Sequence, residues 1–328
     1  MKGKAWLFAI TMGILLPNLF FSIVEKTVSP TPTKPTVETV ATQDYLEETE
    51  SQYRGTDFIR VILPNGANCT MELDTYITGV VLGEMPWDFD LEALKAQAVV
   101  ARTYALKRST TGQKHTGGAV CTDHTCCQAY RSVADYLSQG GTQESADKVS
   151  SAVVATSGQI LTYQGAIIEA TYYSCSGGRT EDAMAVWGTD IPYLQAVDSP
   201  GEESATHYTD NVKFSGEEFA NRLGINPKGS PATWLGTVTY TNGGGVDTMV
   251  IAGKVFKGTT LRQKLELRST AFTVTAVGDS VHIATKGFGH RVGMSQYGAE
   301  AMAVKGNTYE QILAHYYPGT ELKTYGQN

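Results

Sequence analysis

The chain has 328 residues, 41% of them apolar, with 26 basic and 33 acidic side chains and a formal net charge of −7. That apolar share is ordinary for a soluble protein with a real core, arranged as one large domain or two modest ones. The acidic balance excludes a basic footprint for nucleic acid and a polycationic grip on anionic wall polymers.

Met1-Lys2-Gly3-Lys4 precedes a charge-free run from Ala5 to Val24, which matches the roughly 20 residues a membrane-spanning helix needs. Lys2 and Lys4 orient that end to the cytoplasm. A cleaved signal peptide is the alternative, but no small-x-small site follows and Glu25-Lys26 closes the run. Residues 1–26 therefore read as a single N-terminal anchor, and everything after it as extracytoplasmic. Residues 27–55 are rich in Pro, Thr, Glu and Val without helical or strand period, the composition of a semi-extended linker.

The folded part is expected over 56–325. Pro64-Asn65-Gly66 marks a turn between short strands at Asp57–Pro64 and Cys69–Leu73. A helix over Asp74–Met85 leads to Gly83-Glu84-Met85-Pro86, where the proline breaks it and fixes Glu84 at a corner. Asp90 caps a second, longer helix. Along it Leu91, Leu94, Ala98, Ala101 and Ala105 form a small apolar stripe, with Glu92, Lys95, Gln97 and Arg102 off it. Beyond the Gly112 break lies a Cys- and His-rich loop, then a helix over Glu144–Ser157 and a strand, turn and strand over Ile160–Tyr173 that ends in Ser174-Cys175-Ser176-Gly177-Gly178. Residues 200–285 read as a supporting lobe: a capped helix from Ser215 with Glu218, a hairpin about Gly243-Gly244-Gly245, a helix over Thr260–Leu267 and a hairpin over Phe272–Ala284. Gly287 to Ala299 is glycine-rich and opens a helix through Val304, and a last helix runs over Tyr309–His315. Helices and short antiparallel strands mix without regular alternation, so the fold class is α+β, one globular unit with a substrate groove.

Four blocks carry a resemblance: GEMP with its helix through ARTYA, then CTDHTCCQAY, then YYSCSGGRTEDAMAVWG followed by PYLQAVDSP, and GFGHRVGMSQYGA with HYYPGT. Their kinds and order, over nearly all of Gly83 to Thr320, resemble the sporulation stage II protein D family of peptidoglycan lytic transglycosylases, which is related to amidase-enhancer domains. The resemblance implies a membrane-anchored enzyme of sporulation and engulfment at the cell membrane. It would cleave peptidoglycan glycan strands, preferably denuded of stem peptides, beside an amidase or endopeptidase partner of the engulfment machinery.

It also implies Glu84 as catalytic acid and Arg102, Tyr173, Ser174, Ser176, His290, Ser295 and Gln296 as substrate-binding residues. A glycosidic bond opens through an oxocarbenium-like transition state whose leaving oxygen must be protonated. One Glu with a raised pKa does this and then deprotonates the sugar's own primary hydroxyl, closing an anhydro ring without water. By itself a Glu beside a proline turn is an ordinary capping carboxylate, Tyr173 an ordinary core tyrosine and His290 a packing residue. Arg102 is equally an ion-pair partner for Glu84, although such a pair would lower the pKa of an acid that needs it raised. Cys175 departs from the small hydroxyl residue the resemblance leads one to expect there.

Five cysteines is an odd number outside the cell, and the adjacent Cys126 and Cys127 make a strained pair. His115, Cys121, Cys126 and Cys127 supply four ligands, as a closed structural zinc site requires, with His124 a rival ligand. A disulfide from Cys121 to one of the pair, or reduced thiols, are the alternatives. Three functional rivals remain: a non-catalytic glycan-binding enhancer of an amidase, a muramidase-type hydrolase pairing Glu84 with Asp88 or Asp198, and a zinc peptidase. The last is disfavoured by too many thiolates and no nearby general base.

Overall fold

The computed structural model describes residues 58–111, 114–115, 117 and 119–326. The expected anchor at 5–24 and the linker at 27–55 lie outside them. Among the described residues, no helix is long and apolar enough to cross a membrane.

The chain opens with β1 (Phe58–Ile62) and β2 (Asn68–Glu72), an antiparallel hairpin. Then α1 (Leu73–Glu84), α2 (Leu91–Thr111), β3 (Val120–Cys121), α3 (Val133–Ser138) and α4 (Gln143–Ala155) follow. A three-stranded sheet takes β4 (Gln159–Tyr163) and β5 (Ala166–Ile167), and β6 (Tyr172–Tyr173) leads to the short α5 (Ala183–Trp187). The stretch expected as one strand over 166–173 is thus broken in two.

The next segment holds β7 (Thr209–Ser215), α6 (Gly216–Leu223), β8 (Leu235–Tyr240), β9 (Val246–Ile251), β10 (Lys254–Lys257), α7 (Gly258–Lys264), β11 (Phe272–Val277) and β12 (Ser280–Lys286). Finally come β13 (Met294–Ser295), α8 (Gln296–Val304), α9 (Tyr309–Tyr316) and β14 (Glu321–Thr324). β14 returns to pair with β4, and β13 pairs in parallel with β6. The mixture of helices and short strands is α+β.

Helix α2 is the axis of the main body. Asp90 Oδ1 caps its start by accepting the Glu92 N–H at 2.8 Å. From Ala93 onwards both the expected stripe and most of the residues off it are buried, with Gln97, Arg102 and Thr103 at 0% exposure, while Leu91 remains exposed. The helix is therefore enclosed rather than amphipathic, because α1, α4, β4, α8 and α9 all pack around it. Alanines at 93, 96, 98, 101 and 105 allow that crowding. A second core, built on Phe214, Phe219, Trp234, Met249, Leu261 and Ile283, lies wholly within the segment from β7 to β12.

Candidate active site

Glu84 is the last residue of α1, and the backbone sets its position. Met85 is extended (φ −121°, ψ 148°), the conformation a following proline imposes, so the helix stops there. One turn apart, Gly79 and Gly83 give α1 a bare face. A Cβ on Gly83 would meet the Tyr130 nitrogen at 2.9 Å, and one on Gly79 would meet the Tyr130 ring at 2.3 Å. The segment Ala129–Arg131 lies against that face, with the Arg131 N–H donating to the Gly79 carbonyl, and the Ala129 N–H donates to Glu84 Oε1 at 2.5 Å.

The carboxyl faces a cleft of about 470 Å³ lined also by Tyr104, Arg108, Lys114, Tyr172 and Trp187. Burial raises its pKa above the ordinary carboxylate value, against the pull of the Ala129 N–H, the Tyr172 hydroxyl, the exposed His124 and the Gln296 amide. The C-terminal end of α1, the negative pole of a helix dipole, adds to the raising. Tyr172 is held in turn: Gln128 Nε2 donates to its hydroxyl at 3.0 Å, and the Tyr76 hydroxyl donates to Gln128 Oε1. The other carboxylate of the cleft, Glu169, is paired with Arg108.

The residues expected to bind substrate separate into distinct groups. His290 lines the cleft, its ring 5.4 Å from that of Trp187. Its Nδ1 accepts the Val292 N–H, and its other nitrogen faces the Tyr172 backbone carbonyl. Burial and the charge of Arg262 push its pKa down to about 4, so it is a neutral ring that ties its own loop to β6. Gln296 is buried at the start of α8 with its Nε2, otherwise unpartnered, beside Glu84.

Ser176 and Ser295 are fully buried and both donate their hydroxyls to Glu202, at 2.8 and 2.5 Å. Tyr173 is buried beside the His290 ring, and the carbonyl of the half-buried Ser174 accepts the Tyr297 N–H. Arg102 departs most from expectation: it lies neither on the cleft nor on Glu84. It is wholly buried and binds Asp74 at 2.7 Å together with the Thr156, Gln159 and Val153 carbonyls. Its guanidinium is committed to the core.

Four residues of the site carry no assigned role in the sequence reading. Tyr172 precedes the expected Tyr173, and strand alternation puts the first of the two on the cleft. Glu202 accepts the Ser176 and Gly177 N–H groups as well as the Ser176, Ser199 and Ser295 hydroxyls, so it knots the two glycine-rich loops behind the site. Trp187 reaches the cleft from the end of the YYSCSGGRTEDAMAVWG block, which marks the segment and not the role of this side chain, and Glu169 comes from a segment with no local mark at all.

The cysteine loop forms the cleft's other wall, through Cys126 and Cys127. Asp123 turns it: the Thr125 N–H donates to Asp123 Oδ1, and the Cys126 and Cys127 N–H groups donate to its carbonyl. The ligand atoms of His115, Cys121, Cys126 and Cys127 then fall within 4.8 Å of one another, with Cys126 Sγ 3.5 Å from His115 Nε2. Zinc bonds of about 2.0 to 2.3 Å in a tetrahedron need edges of roughly 3.5 to 3.8 Å, so this donor set fits a metal after slight contraction. All five cysteines are free thiols, and His124 stands exposed outside the cluster.

Comparison with known proteins places these features in context. The profile of a family described as "Stage II sporulation protein" matches residues 66–163. "Stage II sporulation protein D" of Bacillus subtilis (strain 168) is 42% identical over 255 residues, covering 76% of this chain and 74% of that protein. Its counterpart in Bacillus amyloliquefaciens is 40% identical over the same length. The "Amidase enhancer" of Bacillus subtilis (strain 168) is 30% identical over 307 residues, which cover 76% of this chain and 40% of that larger protein.

Proposed function

From the premise that this chain belongs to the stage II sporulation protein D family, we propose that it is a lytic transglycosylase of sporulation that cleaves peptidoglycan glycan strands, preferably denuded of stem peptides. The observation that carries the reading is Glu84: a carboxyl with a raised pKa, fixed at a helix end in an open cleft, whose one other carboxylate among the described residues, Glu169, is paired with an arginine. A protonated Glu84 donates its proton to the leaving O4 as the C1–O4 bond breaks. The resulting carboxylate takes the proton from the C6 hydroxyl of the same sugar, whose oxygen closes on C1. The proton returns to Glu84 and no water is consumed.

Asp88 and Asp198, the second acids a hydrolase would use, do not line the cleft, and Asp198 pairs with Arg179. That favours the single-carboxylate route. Gln128 and Ala129 position the acid through Tyr172 and a backbone donor. The hydrophobic run at 5–24 would tether the enzyme at the outer face of the membrane, alongside an amidase partner.

Glu84→Gln should lower the release of anhydro-ended products from peptide-free glycan by about 10²- to 10⁴-fold. Mass spectrometry of the products reads this directly, since the anhydro end is lighter by one water than a reducing end. Undiminished release would remove Glu84 from the mechanism, reducing-end products would make the enzyme a hydrolase, and a wild type that cleaves nothing would leave the enhancer reading.

We assign a structural zinc to His115, Cys121, Cys126 and Cys127, since four protein ligands leave no position for a reacting water. It would fix the loop that delivers the Ala129 N–H to Glu84. Metal analysis should return one zinc per chain, and its chelation should lower thermal stability. A protein purified without added chelator that carries no metal would overturn the assignment.

A further inference from the structure

A second cavity, of about 360 Å³, adjoins the helix that walls the cleft. Asp182, Met184 and Ala185 line it from the α5 side; Tyr240, Asn242 and Asp247 line it from the β8–β9 hairpin. Met184 and Trp187 stand three residues apart on α5, hence on one face and within one turn of about 5.4 Å. Trp187 belongs to the cleft and Met184 to the second cavity. Both are strongly exposed, at 43% and 53%, and Tyr240 on the far side is exposed at 59%. Three large exposed side chains thus form a trail from Glu84 onto the second lobe.

We infer that this second cavity is a distal subsite that binds the continuation of the same glycan strand, with Tyr240 as its stacking platform. The inference rests on the transglycosylase reading for the polymer's identity. The rim matches a hydroxyl-rich, uncharged stretch of sugar. Asp182 is pinned by the Ala196 N–H at 2.6 Å and by Asn242 Nδ2 at 3.1 Å, which presents a fixed carboxylate and amide to hydroxyl groups. With Asp182 and Asp247 against the single Lys257, the cavity repels polyanions. The tyrosine ring offers a flat apolar face to a pyranose.

The test uses peptide-free glycan oligosaccharides of graded length with wild type, Tyr240→Ala and Tyr240→Phe. Wild type should cleave long strands with a KM about tenfold below that for strands too short to pass Trp187, an increment typical of one aromatic contact. Tyr240→Ala should lose that advantage through KM, with kcat on long strands and all parameters on short ones unchanged. Tyr240→Phe should keep the advantage. A parallel measurement of strand binding by Glu84→Gln protein, with and without Tyr240→Ala, reads the subsite without any cleavage. The subsite is refuted if Tyr240→Ala retains the length dependence or weakens all lengths equally. Absence of anhydro products with every substrate would instead refute the catalytic reading, while length-dependent binding still decides the subsite.

Discussion

A single carboxyl group sets the balance between stability and chemistry at this site. Glu84 is held where its charged form is disfavoured, first by burial, so the native state binds a proton there more tightly than the unfolded chain does. Its contribution to stability is fully present below the unfolded value, near 4.5, and is lost as pH rises through the raised native value. Glutamine keeps the shape and the acceptor for the Ala129 N–H but never ionises. Glu84→Gln should therefore have a higher Tm than wild type at pH 7, with the difference shrinking as pH falls to about 4. Thermal melts across that range measure it; a difference that grows on acidification would contradict the raised pKa. The reverse logic holds for Arg102. A guanidinium with five donors is worth burying only where acceptors surround it, and Asp74 with three carbonyls does so in the core.

At the scale of elements, much was legible and the failures share one cause. The Glu84 corner, the Asp90 cap, the Ser215 cap with the Glu218 N–H and the hairpins about Asn65-Gly66 and Gly243–Gly245 follow from residues within a few positions of one another. Local signals suffice for such features. What surrounds an element is not local. Helix α2 carries polar residues on the side opposite its alanine stripe, which reads as a solvent face, yet five elements from as far away as residue 316 enclose it. In the same way the resemblance implies that Tyr173 meets the substrate, whereas its neighbour Tyr172 lines the cleft. Which of two adjacent tyrosines faces the cleft depends on the parallel pairing of Tyr172 with Met294, more than a hundred residues later. The glycines of α1 were legible as residues and not as a purpose, because the segment 129–131 that needs their bare face arrives after the cysteine loop. The donor set of that loop could be counted in sequence; only folding shows His115 rather than His124 beside the thiols.

At the scale of the molecule, one buried ion pair joins the two cores. Arg291, with φ at 67° in the left-handed region, sends its guanidinium to Glu181 at 3.0 Å, to the Ser176 and Arg179 carbonyls of the loop behind the site, and to the Gly243 carbonyl of the β8–β9 hairpin. Glu181 Oε1 also accepts the Thr241 hydroxyl and the Gly245 N–H. Gly243 and Gly245 therefore serve close approach as much as turning, since a Cβ on either would lie within 2.5 Å of Glu181 or nearer. Asp182, the next residue, anchors the wall of the second cavity, so the same joint sets how Tyr240 stands relative to Trp187. Arg291→Met leaves the Glu181 carboxylate buried and uncompensated, which costs about 3 to 5 kcal/mol. Adding Glu181→Gln removes the stranded charge and should recover most of that loss. Urea unfolding followed by circular dichroism gives both values; an Arg291→Met loss that Glu181→Gln fails to relieve would show that the pair acts through its other bonds. In the double variant the two cores keep their apolar packing but lose the cation that crosses between them. Cleavage of short strands should then survive better than the long-strand advantage, because Glu84 is held from within the main body whereas Tyr240 is held through the joint.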